Sequence, residues 1–219
     1  MAGNLQSRKQ ELVRNAIYDA AIELFAARGF DETTVEEVAL AAGVSRRTFF
    51  RYFESKDHLL AQNVVSYGKA LVAGVAACTL SLSPLEMVRE TVAAGARYAA
   101  SQPHTRQTIG IAVKSASARQ AHQSRLIEVE DSLARAFTAR VKSTSKDDIG
   151  PRLLASLTLL IMNRAIMSWY RHEHEDLSVA CRQVFAHLTR IFSDTTHASA
   201  ASGGRTPANP AKRTASRGK

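Results

Sequence analysis

The sequence predicts an all-α protein: an N-terminal three-helix module followed by a larger helical domain, about nine helices in all. Three observations lead there. Apolar residues recur at three- and four-residue spacing through most of the chain, and no stretch shows the alternation of a half-buried strand. Glycine, proline and Ser/Thr residues fall between the apolar segments, where helices begin and end.

The elements can be taken in order. From Ser7 to Ala27, Leu12, Ala16, Ile17, Ala20, Ala21, Leu24 and Phe25 share a helical face, and Gly29 stands where a C-cap is wanted. In "DETTVEEVALAAG" Thr34 and Glu37 form a capping box ahead of Val35, Val38, Ala39 and Ala42, and Gly43 ends this short helix. Ser45 caps a third helix through Tyr52, and "ESKDHLL" opens a fourth that reaches about Ala77. Two short helices joined by a glycine turn make a helix-turn-helix, here at about 34–53. Further helices are expected over Pro84 to Ala100, His104 to Ala116, Ala118 to Lys142, Pro151 to His172 and Leu177 to Ser193, punctuated by Pro84, Pro103, Gly150-Pro151 and "HEHED". The organisation expected is a helix-turn-helix domain over 1–60, a helical domain over 61–195 and a disordered basic tail over 196–219. That tail is rich in Ala, Ser, Gly and Pro and has no large apolar residue to bury.

The 219 residues are 45% hydrophobic and 22% charged, the balance of a soluble globular protein, and no uninterrupted apolar run has the length of a bilayer span. "MAGNLQSRKQELVRN" has no apolar core followed by a cleavage site, so a cytoplasmic location and no membrane partner are expected. Cys78 and Cys181 have no metal or redox spacing and read as buried thiols. The net charge of +9 is unevenly spread. Residues 1–60 hold eight Lys/Arg against nine Asp/Glu, residues 61–196 sixteen against eleven, and residues 197–219 five against none. The overall charge therefore does not mark the N-terminal module as basic; a local cluster must.

That cluster is "GVSRRTFFRYFESKDHLL", residues 43–60, with four basic and four aromatic side chains. With Ser45 as cap, a 100° advance per residue puts Phe49 and Phe53 on one side as anchors. Thr48, Arg47 and Arg51 fall on the other side, with Arg46 and Phe50 on one shoulder and Tyr52 on the other. Such an exposed face suits DNA, because arginine pairs bidentately with guanine edges and a helix N-terminus offers free N–H groups to phosphates.

Gly43, Val44, Ser45, Thr48, Tyr52, Phe53, Ser55, Lys56, Leu59 and Leu60, with "AAIELFAARGFDETTVEEVA" upstream, resemble the N-terminal module of the TetR family of bacterial regulators over residues 8 to 60. The resemblance implies that Arg46, Arg47 and Thr48 face bases or nearby phosphates and that Thr34, Tyr52 and Lys56 hold the DNA backbone. Phe50 stands where the family usually has Tyr, which removes one phosphate hydrogen bond and leaves a ring suited to a thymine methyl. The family's larger domain binds a ligand and pairs its last two long helices across a two-fold axis. The apolar "LLASLTLLIMNRAIMSWY" and the stripe Val184, Leu188 and Ile191 agree, placing Leu157, Ile161, Arg164, Val184, Leu188 and Ile191 at a homodimer interface. Two recognition helices about 34 Å apart would then read a palindromic operator in double-stranded DNA.

Polar or aromatic residues on apolar faces mark a ligand site, and Met87, Tyr98, Ile109, Val113, Leu133, Phe137, Asn163 and Trp169 are the candidates; plain core packing is the competing reading for each. "RTFFRYF" and the C-terminal domain behind it are similar to a TetR subgroup that responds to acyl-CoA-like ligands, which implies a long apolar effector. His172 and His174 lie two apart and point to different sides of a helix, so no metal is expected, nor any cofactor. No GxSxG, HExxH, P-loop or dinucleotide motif occurs, and an enzyme is not expected. The expectation is a ligand-responsive dimeric repressor; the alternative is a helical small-molecule-binding or carrier protein with a non-functional helix-turn-helix, which should show no salt-dependent, sequence-specific DNA binding.

Overall fold

The computed structural model describes the backbone of residues 2–141, 149–172 and 176–202, and the side chains of 5–141, 149–172 and 176–191. Nine α-helices form among the described residues: α1 (Ala2–Arg28), α2 (Val35–Ala41), α3 (Arg46–Tyr52), α4 (Lys56–Ala77), α5 (Pro84–Ser101), α6 (Thr105–Lys114), α7 (Ala116–Thr138), α8 (Ile149–Arg171) and α9 (Leu177–Ser202).

The caps explain most boundaries. Thr34 and Glu37 form the expected capping box on α2, Ser45 caps α3, Ser55 caps α4, and Ser83 with Glu86 makes a second capping box on α5, where Pro84 takes the first turn. Gly29 (φ +102) and Gly43 (φ +66) are left-handed, so each ends its helix at a backbone angle that other residues rarely adopt. The break expected at Ser117 falls instead at Ser115, whose extended backbone ends α6 and whose hydroxyl accepts from the Ala118 amide to start α7. Helix α7 stops at Thr138, short of Lys142. Helix α9 runs past Ser193 to Ser202, because "HASAAS" is rich in alanine, the strongest helix former. The remainder of the expected tail, 203–219, lies outside the described residues, as does His174.

Residues 1–184 pack as one unit, and the rest of α9, from Phe185, forms another. In the first unit, Ile17, Ile22, Phe25, Phe30, Val38, Phe49, Phe53, Leu59 and Leu60 make the core of the N-terminal helices. Ile111 of α6 and Ala118 of α7 belong to that same core, so packing continues past residue 60. Arg14 reinforces this arrangement by donating to Gln62 Oε1 at 2.8 and 3.1 Å, which ties α1 to α4. Beyond it, α4 lies on α7 and α5, and α8 lies on α7 and α5. Leu71, Val75, Val88, Val92, Leu133, Phe137, Ile161 and Met162 fill the space between them.

Both cysteines are free and buried. The Cys181 thiol, pushed up to about 12 by burial, stays protonated and points its Sγ at Met162 Sδ, 3.7 Å away. By length and mean hydropathy, 46–77 and α8 both have the composition of a bilayer span, although polar residues interrupt the apolar run in each. Packing accounts for part of this: α4 buries Leu59, Leu60, Val64, Leu71 and Val75, and α8 buries Ala155, Ile161, Met162 and Ala165.

The α4–α7 crossing is close because residue 68 has no side chain. A Cβ there would lie 2.6 Å from Val129 Cγ2. Gly68→Ala should lower the urea midpoint, by a stability loss of about 1–3 kcal/mol from overpacking. An unchanged midpoint would show that the two helices can separate at no cost.

Candidate nucleic-acid interface and ligand cavity

The α1–α2 turn is built first. Thr33 donates to the Gly29 carbonyl at 2.7 Å, and Lys56 Nζ, at the start of α4, donates to the carbonyls of Phe30 (2.8 Å), Asp31 (3.3 Å) and Thr33 (3.3 Å). The ammonium also lies 4.6 Å from the centre of the Phe30 ring. In this structure the ammonium is directed to the protein's own carbonyls and fixes the turn that carries α2; the expected contact with the DNA backbone would require it to leave them. The Thr34 hydroxyl is similarly committed, donating to Glu37 Oε2 at 3.0 Å and accepting from the Glu37 amide at 3.2 Å. The cap hydrogen bonds from Thr34, helped by Arg28, hold the Glu37 carboxyl below its ordinary pKa.

Helix α3 is seated by Phe49 and Phe53, whose rings lie 5.8 Å apart with almost no solvent exposure. Ser45 Oγ accepts from the Thr48 amide at 3.1 Å and lies 2.9 Å from its hydroxyl, which orders the first turn. The remaining side chains divide as the helical wheel requires. Arg46 lies 5.3 Å from the centre of the Phe50 ring and pairs with Glu36 Oε1 at 2.7 Å. Arg51 lies 5.0 Å from the centre of the Tyr52 ring and donates to its hydroxyl at 3.2 Å. Arg47, exposed between these pairs, has no hydrogen-bond or ion-pair partner among the described residues. The Arg46–Glu36 pair is more than half exposed on both sides, so it contributes little to stability and is readily exchanged for a phosphate. Sequence reasoning missed Glu36, whose carboxylate moderates the basic face.

A second concave feature lies among α4, α5, α6, α7 and α8. This cavity of about 440 Å³ falls within the range of small-molecule sites. Of the candidates named from the sequence, Tyr98, Ile109, Val113 and Asn163 line it. Met87, Leu133 and Phe137 do not; all three are buried core residues outside the lining. Trp169 is also outside, stacked 4.4 Å from the Arg106 guanidinium, which donates to the Trp169 carbonyl at 3.2 Å. Periodicity reports that a residue is buried and is silent on whether it faces atoms or a void. The lining residues that escaped notice include Tyr67, Arg119, His122 and Gln123. Tyr67 carried a signal, being a hydroxyl-bearing ring among the apolar residues of α4.

Contacts run from the cavity wall to the N-terminal helices. Ser115, between α6 and α7, donates to Asp31 Oδ2 at 2.8 Å, and this bond, with Ser117, holds the Asp31 carboxyl below its usual range. His104, before α6, lies 3.1 Å from Asp19 of α1.

The outer face of α8 exposes Leu153 and Leu160, with Leu157 half-buried and Arg164 exposed, a stripe at helical spacing. Ile161, expected at a partner interface, is instead 1% exposed and packed inside its own chain. A one-residue step turns a side chain through 100°, so Leu160 rather than Ile161 faces out. On α9, Val184 and Leu188 are half-buried and Ile191 is exposed.

Comparison with known proteins adds to this geometry. Residues 17–62 match the model of bacterial regulatory proteins of the tetR family, and residues 82–193 match the MftR C-terminal domain. The HTH-type transcriptional regulator TcmR of Streptomyces glaucescens is 27% identical over 208 residues, covering 87% of this chain and 89% of that protein. Among solved structures, NalD, the secondary repressor of the MexAB-OprM multidrug efflux pump in Pseudomonas aeruginosa, has a TM-score of 0.59 at 20% identity, covering 84% of this chain and 96% of its own. FadR from Bacillus subtilis, solved in complex with stearoyl-CoA, has a TM-score of 0.56 at 16% identity, covering 78% and 95%. At those identities the two structures share the fold.

Lys56→Met keeps the aliphatic stem and removes the ammonium. It should cost about 1–3 kcal/mol, because three carbonyls lose a charged donor. Thermal unfolding checks this; an unaltered midpoint would mean that solvent replaces the ammonium without loss.

Proposed function

Since the chain belongs to the TetR family of bacterial regulatory proteins and is therefore a DNA-binding transcriptional regulator rather than an enzyme, we propose that it is a homodimeric repressor of a palindromic operator, released by a small apolar effector. One observation carries this reading: α3 presents Arg47, without a partner among the described residues, between two arginine–aromatic pairs, on a helix held by Phe49 and Phe53. Arg47 is the base-reading side chain, Arg46 and Arg51 reach bases or phosphates after leaving weak surface partners, and Ser45, Thr48 and Tyr52 supply hydroxyls to the backbone. Phe50, about half exposed, offers its ring to a thymine methyl.

The dimer forms through the exposed stripe of α8 with α9, which places one α3 in each of two successive major grooves. Residues 1–60 bind DNA, residues 61–195 bind effector and partner, and the basic segment 196–219 adds non-specific attraction that salt removes. The protein works in the cytoplasm, where its operator is. The cavity receives the effector; FadR, which shares the fold, was solved in complex with stearoyl-CoA. Effector binding favours a state in which Asp31–Ser115 and His104–Asp19 no longer hold the N-terminal helices in the DNA-fitting position. Such coupling requires only that the effector bind that state better, typically by about 1–3 kcal/mol.

Selection from a random DNA pool at two salt concentrations should enrich a palindrome. Arg47→Ala should weaken binding to it by about 1–3 kcal/mol while preserving the unfolding midpoint. Enrichment of no sequence would favour the carrier reading. Leu160→Glu, placing a charge in the α8 stripe, should shift sedimentation from dimer to monomer and abolish cooperative operator binding; a dimer that persists would place the interface elsewhere.

A further inference from the structure

The cavity has a polar feature that an apolar effector alone does not explain. Among the described residues, Tyr67 Oη and His122 Nδ1 are sealed from solvent and have no hydrogen-bond partner, and both residues line the cavity. A buried polar group left unsatisfied bears its full desolvation cost, so two in one cavity are a sizeable standing penalty. Phenylalanine at 67 would fill nearly the same space without it. Burial also raises the Tyr67 pKa well above the ordinary value and lowers that of His122, so both groups are neutral near pH 7.

The charge around them is equally restricted. Arg119 alone among the lining residues carries a formal charge, and its Nε and Nη2 donate to the carbonyls of Ala112 (3.3 Å) and Val113 (3.0 Å) at the end of α6. Arg119 is solvent-exposed, so an ionised carboxylate buried beside Tyr67 and His122 would be met there by two neutral polar groups, and its desolvation would go largely uncompensated. The rest of the lining, including Val64, Ile109, Leu126, Met162 and Ile166, accepts hydrocarbon.

We infer that the effector is a neutral, largely apolar molecule carrying a hydrogen-bonding oxygen, such as a ketone or phenol, which Tyr67 Oη and His122 Nδ1 anchor inside the cavity. This rests on the reading of the cavity as the effector site. It narrows that reading from any apolar chain to molecules with an uncharged polar oxygen at the buried end.

A matched set of probes tests it: benzophenone, its hydrocarbon counterpart diphenylmethane, and the anion 4-benzoylbenzoate, titrated into the full-length protein at pH 8 by calorimetry. Benzophenone should bind about tenfold more tightly than diphenylmethane, the worth of one net hydrogen bond, and more tightly than the anion. Tyr67→Phe should bring ketone and hydrocarbon to within about threefold of one another and leave diphenylmethane affinity unchanged. The same variant should melt no lower than the wild type, since its lost hydroxyl has no partner, and this separates loss of anchoring from loss of fold.

Equal affinities in the wild type, a preference that survives Tyr67→Phe, tighter binding of the anion, or no binding of any probe would each overturn the inference and leave the two atoms to an ordered water. Operator occupancy is read in parallel. Benzophenone that binds through Tyr67 yet releases no DNA would sink the effector reading while leaving the neutral-oxygen site standing.

Discussion

Helix α4 has to satisfy two cores at once, and the rest of the structure depends on its doing so. Its first turns close the N-terminal core with Leu59 and Leu60, and its later turns press Leu71 and Val75 into the larger helical layer. Between them, Val64 and Tyr67 face the cavity and Gly68 allows α7 to approach. Because packed interiors have little free volume, a rigid helix of this length cannot shift at one end without strain at the other. Under the proposed function, that constraint would couple the cavity to the reading face without requiring a hinge.

The reading face shows why total charge is a poor guide to nucleic-acid binding. The first sixty residues are nearly neutral, and the acidic groups among them have structural tasks: Glu37 caps α2 and Asp31 binds Ser115. The helical advance then leaves the arginines of α3 on one side, with Glu36 the acidic partner of Arg46 there. The aromatic residues serve two purposes there. Phe49 and Phe53 anchor the helix, while Phe50 and Tyr52 support guanidinium groups that would otherwise be loosely ordered. Lys56 shows another use of a cation, since its charge organises a turn.

The cavity and the α8 stripe pose related problems of incomplete burial. Leu153 and Leu160 are apolar residues left in solvent by this chain alone, and Tyr67 and His122 carry polar atoms left without partners in its interior. Both are departures from the economy of a finished core, and both sit where a second molecule completes the arrangement under the proposed function.

Most of the helical framework was legible in the sequence, because caps and glycine turns are local chemistry. Thr34, Ser45, Ser55 and Pro84 set helix starts through bonds within a few residues, and the 100° advance was enough to assign Phe49 and Phe53 inward and Arg47 outward. Ser115 was misplaced by two residues because two helix ends share it, and α9 ran on because alanine needs no core to stay helical. What the chain could not disclose by itself was which buried side chains meet atoms and which meet space. Leu133 and Val64 are both buried, yet only Val64 reaches the cavity; Ile161 and Leu160 are neighbours, yet only Leu160 faces out. Likewise, no local pattern tells Lys56, held by three carbonyls from a turn some twenty-five residues away, from a lysine free to bind phosphate. Local bonding and periodicity therefore determined the helices and the exposed arginine face, whereas contacts between residues distant in sequence decided the cavity, the outer stripe of α8 and the role of Lys56, since those depend on how helices cross.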